Sequence, residues 1–543
     1  MSRAINNVFH KMINKHVLNK KLLGVLVGII LSTNVQARNF FDTLDKINRT
    51  VDKSAPTQTT RRAAKKVTNQ KLTEPTIDTV GYSKDFLKIK KLMLSGKLEQ
   101  AYKIQEDKLK QEDSPDFLYS SEAGLLALDV NKPKSTIRHF TEAEHYLKMN
   151  AEKSILSGAA GTFGNETLGL LIGVGELEAY NGAPFERILM LNYKSIAYLL
   201  NGERKAYNVT RRAIDWQNIE HKEFEKSLAL AEQKIAEEGN TAAKAGEAIN
   251  STSSSAASIL DVLIPGVKNL FDEIQKPYKK LEGSAQSVSS AYVNPFGFYI
   301  AGIVQEFDSF EDKSLRDNAR ISYRKALKLN PKSKVLKQAI KEVKKSPRRG
   351  KRLVQVVIAD GFAPEKKVLH FRIPTPNGII PVKLPIYEPV PSKIAHIRIK
   401  QGKKTLATAS VVADIEAITL RHQLDSMPFQ HFKVIASITR SALESIGWSQ
   451  LGGVGMALQE LREGLANPDM RSWRALPKRL LGARFYVSKK LRSVTIVSYD
   501  KKWRRLATKR VKLPKNEHSF IYARTIDKVL KTNVNKTLWV KPK

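Results

Sequence analysis

Residues 318–331 read NARISYRKALKLNP and set Ala319, Tyr323, Ala326 and Pro331 in an A-x3-aromatic-x2-A-x4-P array. At helical spacing the first three positions share one stripe. Small residues on that stripe let a second helix come close, the aromatic ring fills the gap, and the proline ends the unit. Thr136, Phe140 and Ala143 stand in the same phase, as do Ala206, Thr210 and Ala213. Gly96, five residues ahead of Ala101, supplies a turn of the kind that joins two such helices. Positions 101, 136 and 206 are separated by 35 and then 70 residues, with a glycine-rich stretch from Gly158 to Gly182 where the missing unit would lie.

That array at that period is the signature of a tetratricopeptide repeat, in which pairs of helices stack. The reading is an N-terminal all-α, TPR-like region over residues 83–345. It includes a long amphipathic helix from about Glu220 to Ile249, a low-complexity STSSSAAS linker, and an apolar stripe over 258–275 that docks on the helical core. Residues 346–352 form a basic linker, and the period changes after it. Short runs rich in β-branched residues follow: LVQVVI at 353–358, VLHFRI at 368–373, IIPVKLPIY at 379–387, then IAHIRIK, ARFYVS, VTIVSY and FIYAR. These predict strands, and the prolines among them predict edge positions. A helix is expected over about 432–446. The fold class is therefore multidomain, a TPR-like helical region followed by an α+β, strand-rich domain over 353–543.

The N-terminus carries Arg3, Lys11, Lys15, Lys20 and Lys21, then the uncharged run LLGVLVGIIL from Leu22 to Leu31, then Val35-Gln36-Ala37. A basic stretch, a short apolar core and a small-x-small site describe a secretory signal peptide cleaved after Ala37. The alternative is a retained anchor, yet ten residues make only about 15 Å of helix against a hydrocarbon core of roughly 30 Å. A periplasmic protein, peripheral to a membrane at most, is expected, with residues 38–82 as a flexible basic lead-in. The chain has no cysteine, which excludes disulfides, thiol nucleophiles, cysteine-based metal sites and lipoprotein processing.

The formal net charge is +39, and residues 351–543 hold 37 basic and 13 acidic residues. Such an excess draws polyanions. For an exported chain these are phospholipid headgroups, lipopolysaccharide phosphates and peptidoglycan carboxylates, while the signal peptide speaks against nucleic acid. The competing explanation is a proteome that is simply lysine-rich.

The residues offer no catalytic constellation, metal site or cofactor motif. His139 and His145 stand six apart on a helix, off a common face, and read as surface positions. His422 and His431, with Asp425 nearby, read the same way. Ser322 to Lys325 fits S-x-x-K, but it lies inside the repeat helix and lacks the partner motifs of penicillin-recognising enzymes. Two groups of residues are candidates for anion or partner binding. In NPDMRSWRALP, Arg471 and Arg474 offer planar forks for carboxylate or phosphate and Trp473 a surface for a sugar or an interface. The structural alternative pairs Asp469 with Arg471 and sinks Trp473 in the core. Residues 471–512 then hold fifteen Lys or Arg and one acid, Asp500, with Lys501, Lys502, Trp503, Arg504 and Arg505 setting an aromatic among cations. A solvated strand face is the alternative there.

The segments ERILMLNYKSIAYLLNGERKAYNVTRRAIDWQ, NPFGFYIAGIVQEF…ARISYRKALKLNP and DMRSWRALP resemble an uncharacterised envelope family of Gram-negative bacteria, over roughly residues 84–500. Members of that family are typically lipoproteins with TPR-like helices, encoded beside an outer-membrane activator of a penicillin-binding protein. The resemblance implies an envelope role near peptidoglycan assembly and no defined activity. This chain departs from it in lacking the lipidation cysteine. The expectation is a scaffold that binds protein partners through its repeats and an anionic envelope component, peptidoglycan or anionic lipid, through its basic domain. The alternatives are a cell-wall-active enzyme with a site assembled from distant residues, and a nucleic-acid-binding protein.

Overall fold

The computed structural model describes residues 76–78, 82–111, 116–156, 180–247, 274–345, 350–375, 378–427, 468–515 and 518–535. Ala37 and the signal segment, most of the lead-in, most of the glycine-rich stretch and of 258–275, the helix expected over 432–446, and His431 lie outside these residues.

The N-terminal region is helical and its helices are paired. Helix α1 (Tyr82–Leu94) packs with α2 (Leu98–Gln111), α3 (Phe117–Asp129) with α4 (Pro133–Leu156), α5 (Pro184–Asn201) with α6 (Ala206–Glu247), and α7 (Pro295–Asp308) with α8 (Leu315–Leu329). Each pair also packs on the next, and α9 (Lys334–Val343) follows α8. Local chemistry sets the boundaries. The Asp116 carboxylate accepts from Tyr119 N at 2.7 Å and starts α3, while Asn294 caps α7 with Pro295 in the first turn. Both are residues that satisfy or dispense with an orphan N–H at a helix start. Gly96 turns α1 into α2 at φ 77°, with Gly96 N donating to Met93 O and Lys97 N to Leu92 O.

The repeat array acts where the helices of a pair cross. A Cβ added at Gly302 on α7 would lie 2.5 Å from the ring of Tyr323 on α8, and one at Gly124 on α3 would lie 2.6 Å from the ring of Phe140 on α4. Two pairs thus use the same device, a glycine that receives the aromatic of the array. Ala319 and Ala326 flank Tyr323, and all three are fully buried.

The C-terminal region is a mixed, strand-rich region. Its strands are β2 (Lys351–Asp360), β3 (Glu365–Thr375), β4 (Gly378–Glu388), β5 (His396–Gln401), β6 (Lys404–Thr408), β7 (Ser410–Asp414), β8 (Arg479–Ser488), β9 (Ser493–Tyr499), β10 (Arg505–Lys512), β11 (His518–Ile526) and β12 (Val529–Val534). Helix α10 (Ile415–Asp425) follows β7. A short strand, β1 (Thr76–Asp78), comes from the stretch expected to be lead-in and pairs antiparallel with β3.

Three sheets result. The central one has the order β12-β11-β2-β8-β7, the outer one β10-β9-β5-β6, and the small one β1-β3-β4. Strand β4, which carries Pro381 and Pro385, is an edge, as its missing N–H donors require. Strand β2 shows how the layers stack. Leu353, Val357 and Ala359 join the core shared with the helices, while Val354, Val356 and Ile358 join a second core with Ile397, Ile399, Val494 and Ile496 of the outer sheet. Burial on both faces is why this strand reads as an unbroken apolar run instead of an alternating one.

Helices and central sheet are also tied by a buried ion pair. Arg484 on β8 sets both terminal nitrogens at 2.9 Å from the two carboxylate oxygens of Glu306 on α7. The same carboxylate accepts from Tyr323 Oη at 2.7 Å and from Gln355 Nε2 at 2.9 Å, while Arg484 Nε reaches Glu342 on α9 at 3.1 Å. With Arg484 0% and Glu306 4% exposed at the side chain, every charged atom of the pair has a partner.

Candidate anion-binding face

Strands β9 and β10 form a hairpin whose loop runs from Asp500 to Arg504. Asp500 N donates to Arg504 O and Trp503 N donates to Asp500 O, closing the loop. The Asp500 carboxylate accepts from Lys502 N, Arg504 N and Arg504 Nε at 2.9, 2.8 and 2.7 Å. Desolvation opposes charge on Asp500, yet the bonds and positive charge of Arg504 outweigh it and hold the pKa below the usual carboxylate value. The single acid of this stretch is therefore consumed in shaping the loop. Trp503 occupies the left-handed region at φ 61°, where a hairpin of this kind ordinarily places glycine. A side chain there costs roughly 1–2 kcal/mol. Its ring stacks on His396 at 4.0 Å and 3°, and the Arg398 guanidinium lies 4.0 Å from the ring centre.

Cross-strand pairing shares one face of a sheet, and register decides what else stands beside this loop. Arg505 pairs with Tyr499 and Tyr499 with His396; Thr508 pairs with Val497 and Val497 with Arg398; Arg510 pairs with Thr495 and Thr495 with Lys400; Lys512 pairs with Ser493. Because Ile397, Ile399, Val494, Ile496 and Val511 turn into the core, these positions face away from it. The outward face thus holds Arg398, Lys400, Arg505, Arg510 and Lys512 with no carboxylate at any of the paired positions. None of these five makes an ion pair among the described residues. Arg510 Nε donates to Ser493 Oγ at 2.9 Å. Lys501, Lys502, Trp503, Arg504 and Arg505 are all exposed, so the loop continues the face at one end. The contribution of β5 was not visible in sequence, since His396, Arg398 and Lys400 lie more than seventy residues before the charge run of 471–512.

Of the other candidates, Trp473 and Arg474 are buried and Arg471 is half-buried. Trp473 is 1% exposed and packs edge-on against Phe140 at 5.9 Å and Tyr193 at 6.0 Å. Arg471 is bidentate on Asp469, with Nε and Nη2 both at 3.0 Å, and Arg474 lies 3.8 Å from Glu365. The segment 468–476 is held by carboxyl groups of the helical region. Glu186 accepts from Trp473 N at 2.8 Å, and Glu122 from Arg474 N at 2.6 Å and Ala475 N at 3.1 Å. This stretch lies against the repeat helices as a fixed part of the core, which leaves Trp473 no surface for a sugar or a partner.

Burial pushes Glu122 up to about 8 against the opposing pull of the Arg474 and Ala475 N–H groups. Burial likewise lifts Asp129, beside Arg524 and Tyr522, to about 6, and lowers Lys366, whose Nζ donates to Arg471 O at 2.8 Å. These are the signs desolvation gives. Asp129 joins α3 to β11, Glu122 joins α3 to the 468–476 segment, and Lys366 joins β3 to the same segment.

Two histidines depart from the surface positions expected of them. His139 is buried, because Tyr102 of α2 covers it, and its Nδ1 lies 3.1 Å from Glu142. Burial holds its pKa below the ordinary value. His422 lies edge-on to Phe185 and 3.2 Å from Tyr292 Oη, and burial brings it down to about 3, a neutral ring. Asp425 turns instead to Arg421 at 2.7 Å. His145 is exposed. Ser322 donates to Gln305 at 2.7 Å within the repeat pair. Among the described residues no group of three or more His, Asp or Glu is arranged to hold a metal ion, and no helix is long and apolar enough to cross a membrane.

Comparison of the chain with protein-family models, curated proteins and solved structures finds no match to any of them.

Proposed function

We propose that this chain is an exported envelope scaffold whose outer sheet holds an anionic component of the cell envelope. One observation carries the reading, the outward face of β10, β9 and β5, with five cations, a basic loop and no carboxylate among the paired positions. Charge of one sign on a sheet face repels itself, so an anionic partner stabilises it. The signal-peptide pattern at residues 1–37 and the resemblance to a Gram-negative envelope family support a periplasmic setting near peptidoglycan assembly. Because residues 473–475 already pack on α3, α4 and α5, protein partners would use other surfaces of the helical pairs. The reading assigns no catalytic chemistry and no cofactor.

The test is sedimentation of the full chain with peptidoglycan sacculi and with anionic vesicles across a salt series. Saturable binding that weakens from 0.05 to 0.5 M salt, where the Debye length shrinks from about 14 Å to about 4 Å, is expected. No binding to either material at the lowest salt refutes the reading.

A further inference from the structure

We infer that the Asp500–Arg504 loop is a membrane-surface anchor, with Trp503 seated at the headgroup level of an anionic bilayer and the flanking cations on its phosphates. The inference rests on the anion-binding reading of the outer sheet and names its occupant.

Three observations lead to it. Trp503 is the only aromatic among the exposed large hydrophobic side chains of the described residues, at 44%. It stands at the end of a hairpin, where the residues on both sides, Lys501, Lys502, Arg504 and Arg505, are exposed cations. It also holds a left-handed backbone position that glycine would fill without strain. Backbone strain of this sort persists where surrounding contacts impose it, and it gathers at functional sites. Here the Asp500 carboxylate braces the loop from below, and His396 and Arg398 fix the ring by stacking.

Tryptophan favours the boundary between headgroups and acyl chains, where one part of its ring is apolar and another polar. Lysine and arginine beside it lie over apolar surface while their charges reach phosphate. A lone aromatic at a hairpin end suits a planar boundary better than it suits a nucleic acid, which is bound by successive stacking aromatics along a groove. Among the described residues its only aromatic neighbour besides His396 is Tyr499, at 5.6 Å and a tilt of 56°.

The experiment uses the full chain with vesicles of phosphatidylglycerol and phosphatidylcholine, with neutral phosphatidylcholine vesicles, with sacculi, and with immobilised polyglutamate. The variant Trp503→Gly removes the ring and relieves the backbone, so the hairpin is retained; its melting temperature confirms this. Wild-type binding to the anionic vesicles, with tryptophan emission quenched by brominated lipid and that quenching lost in Trp503→Gly, is expected. The variant should bind these vesicles about tenfold more weakly, the effect of removing roughly half an indole from water, while its retention on polyglutamate is unchanged. Equal vesicle binding by both proteins, or no lipid quenching that depends on Trp503, overturns the inference and leaves the anion-binding face standing. A loss confined to sacculi overturns it in favour of a glycan. Failure of the wild type on every anionic material instead removes the underlying reading.

Discussion

Replacing Arg484 by methionine tests whether the helices and the central sheet are joined as described. Methionine keeps most of the length and apolar stem, so the perturbation is chiefly the loss of the guanidinium. That loss removes two 2.9 Å bonds to Glu306 and one 3.1 Å bond to Glu342. Glu306, with 4% of its side chain exposed, is left with only the neutral donors of Tyr323 and Gln355. Stranding one partner of a buried ion pair costs about 3–5 kcal/mol. Removing both charges in Glu306→Leu/Arg484→Met leaves neither charge of the pair buried; Gln355 Nε2 keeps its 3.3 Å bond to Tyr323 Oη, and only the Tyr323 hydroxyl proton loses its acceptor, about 1–3 kcal/mol. The double variant should therefore cost clearly less than the sum of the two single ones. The assay is urea unfolding followed by far-ultraviolet circular dichroism, with the single and double variants compared in one cycle. A cost below about 1 kcal/mol for Arg484→Met, or additive single costs, would refute the reasoning.

Two further perturbations probe the helical half. Gly302→Ala should destabilise by about 1–3 kcal/mol, because the new methyl meets the Tyr323 ring at 2.5 Å; Gly283→Ala, with nothing within 4 Å, should be near neutral in the same thermal melt. Glu122, lifted to about 8 by burial, keeps its proton in the folded chain at pH values where the unfolded chain releases it. Its contribution is complete below the ordinary carboxyl range and is lost as pH rises towards 8, with a slope of at most about 1.4 kcal/mol per pH unit. Glu122→Gln should therefore gain on the wild type as melting is repeated from pH 5 to pH 8, and parallel curves would show that Glu122 is ionised throughout.

Much of the architecture was legible because it is written in local periodicity. The array at Ala319, Tyr323 and Ala326 reports a helix crossing directly, and each of the seven β-branched runs became a strand. Strands β6, β7, β10 and β12 escaped notice for a physical reason. They are short or lie at sheet edges, and β10, RLATKRVK, carries four cations, so nothing in them alternates strongly enough to mark a buried face. Helix α10 was missed because its sequence, IEAITLRHQLD, has no strong apolar stripe. The carboxylates that hold the interior together had a signal that was overlooked. Glu122 lies in FLYSSEAGLLALD and Glu306 in PFGFYIAGIVQEFD, acids in otherwise apolar helices, where a charge needs a dedicated partner. What no local pattern contains is register. Arg398 and Lys400 join Arg510 on one face only because β5 and β10 both pair with β9.

The most direct test of the anion-binding face reverses its charge. Lys400, Arg505, Arg510 and Lys512 are changed together to glutamate, and Lys328, Lys332, Lys334 and Lys337 of the helical region receive the same change in a control of equal net charge. Both proteins are sedimented with sacculi and anionic vesicles at low salt. Loss of binding in the sheet variant and its retention in the helical control is the predicted result; equal losses in the two would mean that net charge alone, and not this face, holds the anion.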